Sequence, residues 1–97
     1  MELNDLRKEI DGIDEQLTEL FIKRMAICAK IAKYKQASGV AVCDGSRERA
    51  VLDKVTAQCE KELVRHVTEL YKTIFEISRT YQTENIQNIS ARSKENV

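Results

Sequence analysis

From Leu3 to Tyr34 the chain repeats one pattern, with an apolar side chain every third or fourth residue at Leu3, Leu6, Ile10, Ile13, Leu17, Leu20, Ile27, Ile31 and Tyr34. That spacing marks one face of a helix. Proline is absent from the sequence, so the rhythm predicts one uninterrupted helix over about residues 4–36, in which Gly12 is a weak point and not a break. At 1.5 Å per residue such a helix spans roughly 50 Å, whereas a compact domain of about 100 residues has a radius of gyration of about 13 Å. One chain of 97 residues cannot wrap it. The seam therefore needs another molecule to cover its ends, most economically a second copy on a two-fold axis, and the expectation is an intertwined homodimer. An elongated monomeric hairpin and a plain coiled coil are the alternatives.

One seam position breaks the pattern. Arg24 stands where the rhythm calls for a leucine. A guanidinium does not deprotonate to escape burial, so a seam that encloses it must supply an anion or a set of acceptors.

The rest of the chain reads as helices joined by one connector. The segment 37–46 holds Gly39 and Gly45 and is the only stretch with loop character. Asp44 is placed to cap a second, short helix ending near Cys59, and Val51, Leu52 and Val55 give that helix one apolar side. A third helix is predicted from about Lys61 to Ile86, with Leu63, Val67, Leu70, Ile74, Ile77 and Tyr81 repeating the seam rhythm. Residues 87–97 lose periodicity and read as a polar, disordered tail after a domain of residues 1–86. The fold class is all-α, with a long, a short and a long helix; the capped short helix is what a plain coiled coil would not need.

Composition narrows the function. With 16 basic and 16 acidic residues the chain lacks the excess of clustered cations that nucleic-acid binding requires, although a local cationic pocket is compatible with that balance. The N-terminus is charged from its second residue, and no apolar run approaches the roughly 18 residues of a membrane span, so the expectation is a cytoplasmic protein. Cys28, Cys43 and Cys59 have neither the number nor the spacing of a disulfide framework or a zinc site. They read as reduced, packed thiols. His66 has no ligand partner and is given no role; no metal or cofactor is expected.

The remaining candidates follow from helix geometry. Lys35 lies roughly 16 Å along the axis from Arg24 and only about 20° around it, so the two long side chains can lean toward one small anion. Arg7 is roughly 25 Å from Arg24 in the other direction and roughly 42 Å from Lys35, so within one chain it cannot reach that anion. In an antiparallel dimer it can reach the pocket of the other copy. Asp44, Arg47 and Glu48 form a D-x-x-R-E element at the start of the short helix, close to where the connector leaves Lys35. On the third helix Tyr71, Phe75, Ser78 and Gln82 share one face, which turns from apolar to polar along its length. For the charged groups the bland alternative is a solvated surface or a helix-dipole partner, and for Ser78 and Gln82 it is the edge of the buried face.

Taken together, these residues resemble a known family. Leu6-Arg7, the I-D-x-x-L stretch at Ile13, Asp14 and Leu17, then Arg24, Lys35, Asp44 to Glu48 and the S-x-x-x-Q at Ser78 and Gln82 look like the all-helical chorismate mutases in their short, single-function form. The resemblance covers roughly residues 3 to 85 and rests on the ordered set, since no element is specific alone. It implies an intertwined dimer with two equivalent sites, each completed by an arginine of the other subunit, here matching Arg7. It also implies a dianionic substrate, chorismate, rearranged to prephenate by an intramolecular pericyclic shift without nucleophile, metal or cofactor, in phenylalanine and tyrosine biosynthesis.

By this resemblance Arg7 of the other copy and Arg24 grip the carboxylates, with Ser78 assisting and Arg47 supporting the network. Lys35 and Gln82 donate to the ether oxygen. Asp44 and Glu48 receive the ring hydroxyl. Gly45 departs from relatives that often carry proline there, which implies a more mobile loop before substrate binds. An isochorismate-pyruvate lyase on the same fold and a non-enzymatic helical dimerisation module are the competing readings.

Overall fold

The computed structural model describes residues 2–95. Three helices account for most of the chain: α1 (Leu3–Ser38), α2 (Gly45–Ala57) and α3 (Val64–Glu95), the last entered through a short 3-10 turn at Lys61–Leu63. The described residues include no strand, so the all-α, long-short-long expectation is borne out.

Local chemistry sets the boundaries. α1 ends where Gly39 takes a left-handed conformation, φ 71°, and its N–H returns to the Lys35 carbonyl. A left-handed residue past the last turn satisfies carbonyls that the helix leaves open, and glycine adopts it without a Cβ penalty. α2 begins at the cap the sequence predicts, with the Asp44 carboxylate accepting from the Arg47 backbone N–H at 3.0 Å.

α3 packs on both other helices, while α1 and α2 do not pack on each other. The molecule is correspondingly elongated, with extents of 63 × 29 × 14 Å and a radius of gyration of 17.5 Å, against about 13 Å for a compact domain of this length.

The core is small and displaced from the predicted seam. Cys28, Ala32 and Phe75 are its buried apolar members, so α1 meets α3 through small residues on a stripe turned roughly 60° from the leucine–isoleucine face. That face is open along its whole length, from Leu3 (60% exposed) through Leu17 (56%) to Ile27 (51%). Arg24, half-buried, lies where the two stripes meet.

α3 runs further than the sequence predicts. The reading that ends it near Ile86 and leaves a disordered tail loses the apolar rhythm there, but the backbone stays helical to Glu95. Segment 87–95 contains neither glycine nor proline, and lost amphipathicity removes packing without removing helix propensity. The last two residues of that predicted tail, 96 and 97, lie outside the described residues.

Candidate functional site

A cleft of about 560 Å³ opens between the C-terminal half of α1, the connector, the first turns of α2 and the middle of α3. Its volume suits a small molecule. Seven of the eight residues singled out from the sequence line it: Arg24, Lys35, Asp44, Arg47, Glu48, Ser78 and Gln82. Arg7 does not; it stands exposed near the start of α1, roughly 25 Å along the helix from Arg24.

Four polar side chains of the cleft are held in cross-helix pairs, Arg24 with Ser78 and Lys35 with Gln82. Arg24 Nη1 donates to Ser78 Oγ at 2.5 Å and lies 3.9 Å from Cys28 Sγ. With five N–H donors on a guanidinium, most of Arg24's capacity is left over for an anion. Ser78 is buried; by accepting from Arg24 it keeps its own O–H to donate.

Lys35 Nζ donates to the Val42 carbonyl at 2.8 Å and to Gln82 Oε1 at 3.2 Å. An ammonium has three protons, so one donor remains. Because lysine can only donate, the contact also sets the Gln82 amide, with its oxygen toward Lys35 and its NH2 as the remaining donor. Lys35 and Gln82 thus keep spare N–H donors in a ladder that includes the connector. Among the described residues no buried side-chain nitrogen or oxygen lacks a partner.

The charge in the cleft is unbalanced. Lys23, Arg24, Lys35, Arg47 and Arg79 line it against only Asp44 and Glu48, although the whole chain is neutral. Both carboxylates are engaged: Asp44 caps α2, and Glu48 takes Arg79 Nη1 on both oxygens, at 2.7 and 2.6 Å. Among the described residues Lys23, Arg24, Lys35 and Arg47 pair with no carboxylate. Ile27, Ile31, Val51 and Phe75 supply apolar wall. Such a cleft attracts a small anion carrying an apolar body, and it offers that anion both neutral and cationic donors.

Arg79, Lys23 and Val42 also line the cleft, and the sequence does not single them out. Arg79 had a signal, since it follows Phe75 by four and precedes Gln82 by three on the face that forms the cleft. Lys23 and a backbone carbonyl carry no such mark.

Comparison with known proteins decides the family. A family model described as chorismate mutase type II matches residues 6–83. The chain belongs to that family. Among curated members, the chorismate mutase of Methanocaldococcus jannaschii is 22% identical over 94 residues, 95% of each chain. The T-protein of Haemophilus influenzae is 37% identical over 59 residues, which is 61% of this chain and 16% of that protein. The bifunctional chorismate mutase/prephenate dehydratase of Aquifex aeolicus is 35% identical over 54 residues, 56% of this chain and 15% of that protein. The chorismate mutase type II chain thus spans about a sixth of the first of these larger relatives and nearly all of the archaeal one. No solved structure matches it. No helix among its described residues is long and apolar enough to cross a membrane.

Proposed function

We propose that the chain is a chorismate mutase, rearranging chorismate to prephenate in phenylalanine and tyrosine biosynthesis, with residues 1–86 carrying the activity in a cytoplasmic homodimer. The observation that carries this reading, beyond family membership, is the Lys35–Gln82 pair, each lining a cationic cleft with an N–H left over. A pericyclic rearrangement has no covalent intermediate. It needs the enolpyruvyl chain folded over the ring, and positive charge where the breaking ether bond gathers electron density.

In this reading Arg24 and Ser78 take one carboxylate, Arg47 adds to that network, and Arg7 of a second copy takes the other. Lys35 and Gln82 donate to the ether oxygen. Since that charge is larger in the transition state than in the substrate, their hydrogen bonds act on turnover more than on binding. Glu48 and the capped start of α2 at Asp44 receive the ring hydroxyl, and the Ile27, Ile31 and Phe75 wall holds the ring body. The uncovered seam supports the two-copy arrangement, because Leu6, Ile10, Ile13 and Leu17 are exposed in the single chain on the half of α1 that bears Arg7.

The test is incubation of the purified chain with chorismate and, separately, with isochorismate. Prephenate from the first supports the proposal. Salicylate with pyruvate from the second, and none from the first, makes the chain a lyase and overturns it. The D-x-x-R-E element and Gln82 favour the mutase.

A further inference from the structure

α2 carries Asp44's cap, Arg47 and Glu48 to the cleft, yet little holds it there. None of its residues is buried, its apolar residues Val51, Leu52 and Val55 are only half-covered, and it packs on α3 alone. Among the described residues one side-chain link joins α2 to α3, and it is Arg79 with Glu48. This pair differs from the other ion pair of the described residues, Arg49 with Asp53, which lies within α2 with side chains 79% and 70% exposed. Arg79 and Glu48 are 36% and 25% exposed, so water and salt screen their attraction less.

The geometry points to Arg79 as a positioning residue that latches the first turn of α2 onto α3 and holds the Glu48 carboxylate as an acceptor facing the cleft. A single nitrogen, Nη1, bridges both Glu48 oxygens. A carboxylate has roughly four lone-pair sites, so bridging between the oxygens leaves its outer lone pairs for a second donor. Arg79 also sits between Ser78, which pins Arg24, and the turn that bears Gln82, which orients Lys35. One turn of α3 therefore sets both walls of the cleft. The hydrogen bond that Arg79 donates to Glu48 raises the Arg79 pKa above its ordinary value, opposed by partial burial and helped by the Glu48 and Glu76 charges, so the latch stays protonated across any working pH.

The inference deepens the proposed function, since it takes Glu48 as the group that meets the ring hydroxyl. A hydroxyl contact is made by substrate and transition state alike, so its loss raises KM and leaves kcat nearly unchanged. For Arg79→Gln we expect KM for chorismate to rise about tenfold with kcat within about twofold, together with faster hydrogen exchange at α2 amides and unchanged exchange in α1 and α3. Arg79→Lys recovers much of the KM, because an ammonium can also bridge two oxygens through one nitrogen. The exchanged pair Glu48→Arg with Arg79→Glu restores α2 protection without restoring KM.

Wild-type KM in that exchanged pair would make the contact a mere strut and overturn the proposal, as would unchanged α2 exchange in Arg79→Gln. If the unaltered chain turns over no chorismate while Arg79→Gln still loosens α2, the latch stands and the functional reading is what fails.

Discussion

The two halves of α1 share one apolar rhythm and live in different surroundings. In the C-terminal half, Cys28 and Ala32 are buried against α3, and Arg24 and Lys35 are pinned by Ser78 and Gln82. The N-terminal half has no such cover; Leu3, Leu6, Ile10, Ile13, Leu17 and Leu20 are all exposed. A row of that length is unusual on a lone chain, because isolated exposed leucines are ordinary and contiguous rows of them are not. The contrast teaches that a single chain gathers seven of the eight candidate residues around its cleft and leaves the eighth, Arg7, exposed on the bare half.

The largest effect that sharpens this contrast comes from the pinned half. Arg24→Ala removes a preorganised cation, and we expect kcat/KM for chorismate to fall by about 10³-fold, or about 4 kcal/mol, with α1–α3 packing intact by circular dichroism. A loss of less than tenfold would detach Arg24 from the chemistry.

The bare half is tested by charge. On a monomer Leu17→Asp is a surface change, whereas inside a two-copy seam it buries an unpaired carboxylate at a cost of about 3 kcal/mol or more. Sedimentation is expected to show the variant shifted to monomer at concentrations where the parent is a dimer. An unaltered mass would break the comparison.

Mixing joins the two halves in one measurement. Arg7→Ala and Lys35→Ala are each expected to be nearly inactive, and random re-pairing yields half heterodimers with one intact site of two, or about a quarter of the parent activity. No recovery means that Arg7 does not serve a site on another copy.

The smallest effect contrasts two glycines, neither of which has an atom within 4 Å of an added Cβ. Gly39, at φ 71°, ends the pinned half, and Gly39→Ala should destabilise by about 1 kcal/mol through left-handed strain. Gly12 lies inside the helix of the bare half, and Gly12→Ala should stabilise by about 0.5–1 kcal/mol. Thermal unfolding at one fixed protomer concentration separates the two signs.

Much of this was legible in the residues alone because it is local. The rhythm from Leu3 to Tyr34, the glycine-bearing connector over 37–46 and the Asp44 cap each depend on neighbours within a turn or two, and they reappear as α1, the connector and the start of α2. The end of α3 differs from its expected place for a related reason, since periodicity reports packing, whereas the backbone can stay helical where the apolar rhythm ends. The cleft was partly legible: Arg24 stood out by breaking a pattern, while Ser78 and Gln82 showed only as polar residues on an otherwise apolar face.

By itself the sequence determined the helices, their order, and a seam too long for one chain to bury, since backbone propensity and side-chain period act within a single element. Only the tertiary structure decided which face of α1 meets α3. It also decided that Lys35 is held by the Val42 carbonyl and Gln82, and that Glu48 belongs to Arg79. Those pairings depend on where two helices cross, and the crossing is set by small buried residues such as Cys28 and Ala32 rather than by the large apolar ones that dominate the pattern.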